Sequence, residues 1–191
     1  MILTSRLMIV DSGYVIWQHN RFALAICSGE LQVKPIRQVI SGGQTGVDRA
    51  ALDFAIANRI KHGGWCPQGR KAADGVLDPK YVLQETESPG YSQRTKRNVQ
   101  DSSGTLIVYR DMLIGGSLLT KRFALQLSKP CFEWALDRPF NEQYPGFCVW
   151  LQQHQIEILN IAGPSEARAE DIYRDSRTLL QEIWSKMNEE Q

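Results

Sequence analysis

The stretch VISGGQTGVDRAALDFA, Val39 to Ala55, is the part of the sequence from which the fold is most directly predicted. It opens with the apolar residues of a strand, passes through a turn with glycines at 42, 43 and 46, and continues with helical apolar spacing. Glycines let a backbone approach a ligand closely, and the free N–H groups at a helix start favour an anion. The stretch therefore predicts a strand-turn-helix unit with an anion site at the turn.

The same alternation continues to the end of the chain. Strands are predicted at 38–40, 62–65, 104–110, 129–136 and 156–163, and helices at 50–57, 92–102, 114–127, 144–155 and 165–187. Strands that alternate with helices form a parallel sheet covered on both faces. We therefore expect residues 36–191 to form a Rossmann-like, three-layer α/β sandwich with a mainly parallel sheet. Residues 1–35 do not follow this rhythm and are predicted to be an N-terminal extension, either irregular or paired as a hairpin.

Composition excludes several classes of function. Lys and Arg number 22 against 21 Asp and Glu, a net charge of +1, which is not the charge pattern of a nucleic-acid or membrane-surface binder. No apolar run is long enough to span a membrane and no signal-peptide pattern begins the chain, so we expect a cytoplasmic protein. The four cysteines form no CxxC pair and the three histidines are scattered, so we expect no metal site.

Two further strand exits resemble the first glycine turn. Gly115, Gly116, Ser117 and Thr120 open the helix after the strand at 104–110, and Asn160 and Gly163 end the strand at 156–163. In an open parallel sheet, ligands bind beyond the carboxyl ends of the strands. The alternative is that these glycines only permit close packing, since GGxxG is neither a Walker A motif nor GxGxxG.

Several side chains are candidates to contact a ligand at this edge. Thr45 offers a hydroxyl donor or a helix cap, and Asp48 offers either a helix-terminal charge or a partner for a sugar hydroxyl. Arg70 and Arg94 are candidates for bidentate phosphate binding, with Arg94 alternatively paired to Asp101 on its own helix. The full set of expected ligand-binding residues is Gly42, Gly43, Thr45, Gly46, Asp48, Arg49, Trp65, Cys66, Arg70, Arg94, Asn98, Gly115, Gly116, Ser117, Thr120, Asn160 and Gly163. For Trp65 the alternative is core packing, and for Cys66 a packed thiol.

Five ordered motifs together resemble the putative molybdenum carrier family, a circularly permuted branch of the YpsA-like, lysine-decarboxylase-like Rossmann group. They are ISGGQTGVDRAALDFAI, GGWCPQGRKAADG, YSQRTKRNVQDSSGTLIV, GGSLLTKRFA and ILNIAGP. The resemblance implies a Rossmann-like fold that binds a nucleotide-like or molybdopterin-like ligand. Two positions depart from the family pattern, Ala73 in place of a carboxylate and Ser165 in place of an arginine.

These observations lead to one leading hypothesis and one alternative. The leading hypothesis is a cytoplasmic protein that binds a small phosphate-bearing ligand, either molybdenum cofactor or a nucleotide. The alternative is a nucleoside-phosphate hydrolase in which Asp48 or Asp74 is the catalytic carboxylate. The concentration of aromatic residues in one late segment also predicts a homo-oligomer through Trp134, Phe140, Tyr144, Phe147 and Trp150.

Overall fold

The computed structural model describes residues 34–189. Its centre is a five-stranded sheet in which every pairing is parallel. The strands, in chain order, are β1 (Gln38–Ile40), β2 (Lys61–Gly63), β7 (Gly104–Tyr109), β8 (Cys131–Ala135) and β9 (Ile158–Ala162). Along the chain, two small strand pairs follow β2 and precede β7. In the first, β3 (Trp65–Cys66) is parallel to β6 (Gln84–Glu85), and in the second, β4 (Lys71–Ala72) is antiparallel to β5 (Gly75–Val76).

Helices cover both faces of the central sheet. They are α1 (Val47–Ala57), α2 (Tyr91–Asp101), α3 (Gly115–Gln126), α4 (Phe140–Gln153) and α5 (Ile172–Glu189). The large apolar core joins the sheet to α1, α4 and α5, whereas α2 and α3 pack against each other on the opposite face. This arrangement confirms the predicted Rossmann-like α/β sandwich.

The strand order shows why the last strand matters. Across the sheet the order is β2-β1-β9-β7-β8, so the final strand lies in the middle. If the strands are counted from β9, the order becomes 3-2-1-4-5, which is the beginning of the Rossmann order. The chain is therefore a circular permutation of that topology, and the exits of β1, β9 and β7 lie side by side.

The three largest differences from the predicted element boundaries concern one strand and two helices. The strand expected at 62–65 is divided at Gly64, whose φ of +121° takes the chain out of the central sheet. Helix α4 begins at Phe140 instead of Tyr144, with Pro145 inside it. Helix α5 begins at Ile172 instead of Ser165, because residues 163–171 form a separate segment across the carboxyl edge of the sheet, which we call the crossing segment.

The late aromatic residues do not form an exposed cluster. Trp134 is 1% exposed and Phe147 is fully buried, with their ring centroids 5.7 Å apart, and Tyr144 and Trp150 are also buried. They fill the core between β8 and α4, so the observation on which we expected a homo-oligomer is corrected. No helix within residues 34–189 has the length and apolar character needed to cross a bilayer. The hairpin or irregular extension expected for residues 1–35 lies almost wholly outside the described residues.

Candidate functional site

The first glycine turn encloses a carboxylate of the chain itself. Asp48, in the first turn of α1, is 3% exposed and accepts a 2.8 Å hydrogen bond from Arg94 Nη1. The backbone N–H groups of Gln44 and Gly163 also stabilise the charged form of this carboxylate. Burial raises the pKa of Asp48, while these three donors act in the opposite direction by stabilising the charged form. The position where we expected a ligand anion is thus occupied by Asp48.

The glycines of this turn are required by internal packing. A Cβ at Gly42 would overlap the Arg94 guanidinium, and one at Gly46 would overlap the carbonyl of Pro164. Gly43 has a φ of +74°, and a Cβ there would lie 2.9 Å from methyl groups of Leu77 and Leu83. The glycines therefore allow other groups to approach the backbone of the turn closely. These groups are side chains and carbonyls of the protein itself, in place of the ligand that we expected.

Arg70 has a structural role in place of the expected phosphate contact. Its guanidinium donates to the backbone carbonyls of Leu77, Asp78, Tyr81 and Leu83 at distances of 3.1, 3.0, 2.9 and 3.3 Å. Four of its five N–H donors are thereby used within the loop at 77–83. Arg70 fixes this loop and has little capacity left for a ligand.

Trp65, Asn98 and Cys66 are likewise engaged in the fold. The Asn98 side chain accepts from the N–H of Trp65 at 2.7 Å and donates to its carbonyl at 3.0 Å, which joins α2 to β3. The Trp65 indole donates to Asp101 at 2.7 Å, and Arg94 pairs with Asp48, so the alternative pairing of Arg94 with Asp101 is wrong. Cys66 is buried among apolar side chains, and this burial raises its pKa, as expected of a packed thiol.

A cleft of about 480 Å³ lies beside the first turn, between α1 and the start of α5. It brings together the predicted residues Thr45, Gly46, Arg49 and Asp74 with Asp53, Tyr81, Glu166, Asp171, Tyr173 and Arg174. Four of these side chains are carboxylates and two are guanidiniums, so the lining carries an excess of negative charge.

The guanidiniums in this cleft already have carboxylate partners. Arg49 binds both oxygens of Asp74 at 3.0 and 3.1 Å, and Arg174 lies 3.1 Å from Asp171. The contact with Arg49 holds the pKa of Asp74 below its usual value, so this carboxylate is a weak base. A phosphate in the cleft would be close to carboxylates, and both lining arginines already have carboxylate partners.

The start of α3 has the opposite character. Among residues 34–189, the N–H groups of Gly115, Gly116 and Ser117 have no acceptor. Ser117 is only 3% exposed, yet its hydroxyl has no hydrogen-bond partner in the same range. The space beside Gly116 is open, since no atom lies within 4 Å of a Cβ built there. Thr120, by contrast, donates to the carbonyl of Gly116 at 2.9 Å and serves the helix itself.

Arg168, which the sequence analysis did not select, completes this group. The crossing segment places its guanidinium directly against Gly115, where φ is +53° and a Cβ would overlap the guanidinium. No carboxylate within the described part of the chain pairs with Arg168. The sequence feature that could have identified Arg168 is its position five residues after Gly163. It lies close to Ser165, where the family pattern has an arginine.

The two remaining predicted residues support the strands beneath. The Asn160 side chain donates to the Thr105 hydroxyl at 3.2 Å and joins β9 to β7. A Cβ at Gly163 would overlap the carbonyl of Val108 and the side chain of Val47. The predicted residues thus fall into four groups: the closed turn around Asp48, the acidic cleft, the start of α3, and residues that stabilise the fold through internal contacts.

The sequence profile of the circularly permutated YpsA SLOG family matches residues 39–184. This chain belongs to that family. The match covers most of the chain and agrees with the central position of β9, because a permuted member has its first Rossmann strand at the end of the sequence. No match was found among curated proteins.

A crystal structure of a "putative molybdenum carrier protein" from Syntrophus aciditrophicus SB is similar to this family member over most of both chains. The two sequences are 47% identical, and the match covers 78% of this chain and 94% of that one with a TM-score of 0.75. Together with the family, this likeness indicates a ligand-binding role.

Proposed function

We propose that this protein binds a small phosphate-bearing ligand at the start of α3, as a cytoplasmic binding or carrier protein. The observation that carries the proposal is the position of Arg168. Its guanidinium has no carboxylate partner among the described residues, and it lies next to backbone N–H groups that have no acceptor there. Arg168 is exposed, so its guanidinium is accessible to an anion that lies between it and the positive end of the helix. A phosphate there would accept from both.

Ser117 supports the proposal independently of charge. The Ser117 residue is 3% exposed and its hydroxyl has no hydrogen-bond partner among residues 34–189, so the hydroxyl is available to a ligand oxygen. Guanidinium, hydroxyl and backbone N–H groups are also the donors that phosphate sites use. In the acidic cleft, by contrast, both guanidiniums are already paired with carboxylates.

The ligand classes we favour are molybdenum cofactor and nucleotide derivatives. The similar structure is named as a molybdenum carrier, and the organic part of molybdenum cofactor bears a phosphate. The donor set at α3 fits this phosphate, with Arg168 and Ser117 as the side chains that would hold it. We assign no residue to the metal, since among residues 34–189 no group of three His, Cys, Asp or Glu side chains is arranged to hold one.

The test is to add a negative charge at Gly116. Gly116→Asp places a carboxylate in open space, so the fold should be kept while the phosphate is repelled. Titration calorimetry with adenosine 5′-monophosphate and ribose 5-phosphate should show binding to the parent protein and at least a tenfold loss in the variant. The matched control is Ser92→Asp, which adds the same charge at the second residue of another helix, α2.

Two outcomes would contradict the proposal. One is the absence of binding of any phosphate compound to the parent protein, including molybdenum cofactor. The other is an equal loss in the Gly116→Asp and Ser92→Asp variants, which would indicate only a general effect of charge. Release of a free base during the titration would instead favour the hydrolase alternative, for which Asp48 is enclosed by Arg94 and Asp74 is paired with Arg49.

A further inference from the structure

Two apolar side chains are exposed immediately before the start of α3. Met112 is 67% exposed and Ile114 is 50% exposed, and they lie in the short loop that joins β7 to Gly115. Large apolar side chains that flank a group of polar donors are typical of ligand pockets, where they bind the apolar part of the ligand. Their position beside the donors of α3 distinguishes them from exposed residues scattered over the surface.

We propose that Met112 and Ile114 bind a flat heteroaromatic ring of the same ligand, so that the site selects ring-bearing phosphates over sugar phosphates. This inference rests on the proposed function, because it places the ring next to the phosphate held at α3. It adds a specificity that the donors of α3 do not supply, since a phosphate group is alike in all these compounds.

The loop that carries both side chains is anchored at its start. Arg110 donates to the carbonyl of Glu170 at 3.1 Å and pairs with Asp175, which attaches the loop to the crossing segment and α5. The N–H of Met112 donates to the carbonyl of Arg110 at 2.8 Å in a tight turn. The backbone is thus held in place while the side chains remain exposed, as a binding surface requires.

Arg168 provides the second contact for such a ring. Its planar guanidinium lies against Gly115, the residue that follows Ile114. Arginine stacks on aromatic faces and also binds phosphate, so one side chain serves both parts of the ligand. A ring between Arg168 and the apolar pair would have a cation on one side and apolar groups on the other.

The test compares three probes on the full chain. Titration calorimetry with inorganic phosphate, ribose 5-phosphate and adenosine 5′-monophosphate should show at least tenfold tighter binding of the nucleotide than of the sugar phosphate. The Met112→Ser, Ile114→Ser double variant should lose this advantage, with the affinity for ribose 5-phosphate unchanged within twofold. The matched control is Leu125→Ser, which removes a side chain that is 71% exposed at the other end of α3.

The outcomes separate this inference from the proposed function. If ribose 5-phosphate binds and Gly116→Asp abolishes its binding, but the nucleotide gains nothing, only the present inference is overturned. Equal losses for both probes in the double variant would also overturn it. A change of oligomeric state in the double variant, seen by light scattering, would show that these residues cover an interface between copies instead. If no phosphate compound binds, both proposals fail.

Discussion

At the scale of single residues, the same chemistry has two different uses in this protein. Asp48 is a buried carboxylate whose charge is balanced by Arg94 and two backbone N–H groups. Arg168 and Ser117 are donors that the described part of the chain leaves without partners. In the first group, Arg94 Nη1 is paired with Asp48, while the buried Arg94 Nε has no hydrogen-bond partner among residues 34–189. In the second group, the proposed ligand would accept hydrogen bonds from the donors.

The buried pair predicts a large difference between two substitutions of Asp48. Asp48→Ala leaves the Arg94 charge uncompensated in the interior, and we expect a loss of about 3–5 kcal/mol in the free energy of unfolding. Asp48→Asn keeps the size and one acceptor oxygen and should cost clearly less. Urea unfolding measures both, with the exposed Asp137→Ala as control; a loss in Asp48→Ala no larger than in this control would contradict the role of the pair.

At the scale of elements, α1 and α3 begin alike in sequence but differ in what meets their first turns. The N–H of Val47 at the start of α1 donates to the carbonyl of Pro164 at 3.2 Å, and Asp48 fills the preceding turn. At α3 the crossing segment brings a cation instead of a carbonyl or carboxylate. One segment therefore closes the first helix start and leaves the second suited to an anion.

The loop at 77–83 should depend on the planar fork of Arg70. Arg70→Lys keeps the charge but cannot donate to four carbonyls at once, so the loop should open more often. We expect trypsin to cleave after Lys80, within this loop, at least tenfold faster than in the parent protein. Cleavage is followed by mass spectrometry, with Arg122→Lys on the surface of α3 as control. An unchanged rate would show that the loop is held by its other contacts.

At the scale of the whole molecule, the large core and the polar edge have separate roles. The core between the sheet, α1, α4 and α5 includes the aromatic residues of β8 and α4, while the carboxyl edge contains the glycine turns and many charged side chains. Because the topology is circularly permuted, β9 lies at the centre of the sheet, and its carboxyl end lies between those of β1 and β7. The candidate site thereby combines the start of α3 with Arg168, which follows the last strand.

The thiols of the folded molecule should be unreactive at pH 8. Burial raises the pKa of Cys66 and raises that of Cys131 to about 12, so the reactive thiolate is scarce in both. In a Cys27→Ser background, we expect little reaction of the native protein with a disulfide reagent and full reaction after unfolding in guanidinium chloride. Rapid reaction of Cys66 or Cys131 in the native protein would contradict this prediction.

The sequence alone determined the fold class and the positions of the strand exits. Apolar runs, helical spacing and glycines are local features, and they correctly located β1, β7, β9 and the glycine turns of α1 and α3. The starts of α4 and α5 were missed because periodicity does not fix where a helix begins: α4 has Pro145 in its interior, and the crossing segment precedes α5. The aromatic residues of α4 were assigned to an interface because periodicity does not show which face a helix buries.

Only the tertiary structure decided which turn is closed by the chain. Asp48 and Arg94 are 46 positions apart, and Gly115 and Arg168 are 53 positions apart, yet each pair is in contact. A glycine turn offers the same N–H groups in either case, so local sequence cannot show whether their acceptor is internal. That choice follows from long-range packing, which brings a carboxylate to one helix start and an arginine without a carboxylate partner in residues 34–189 to the other.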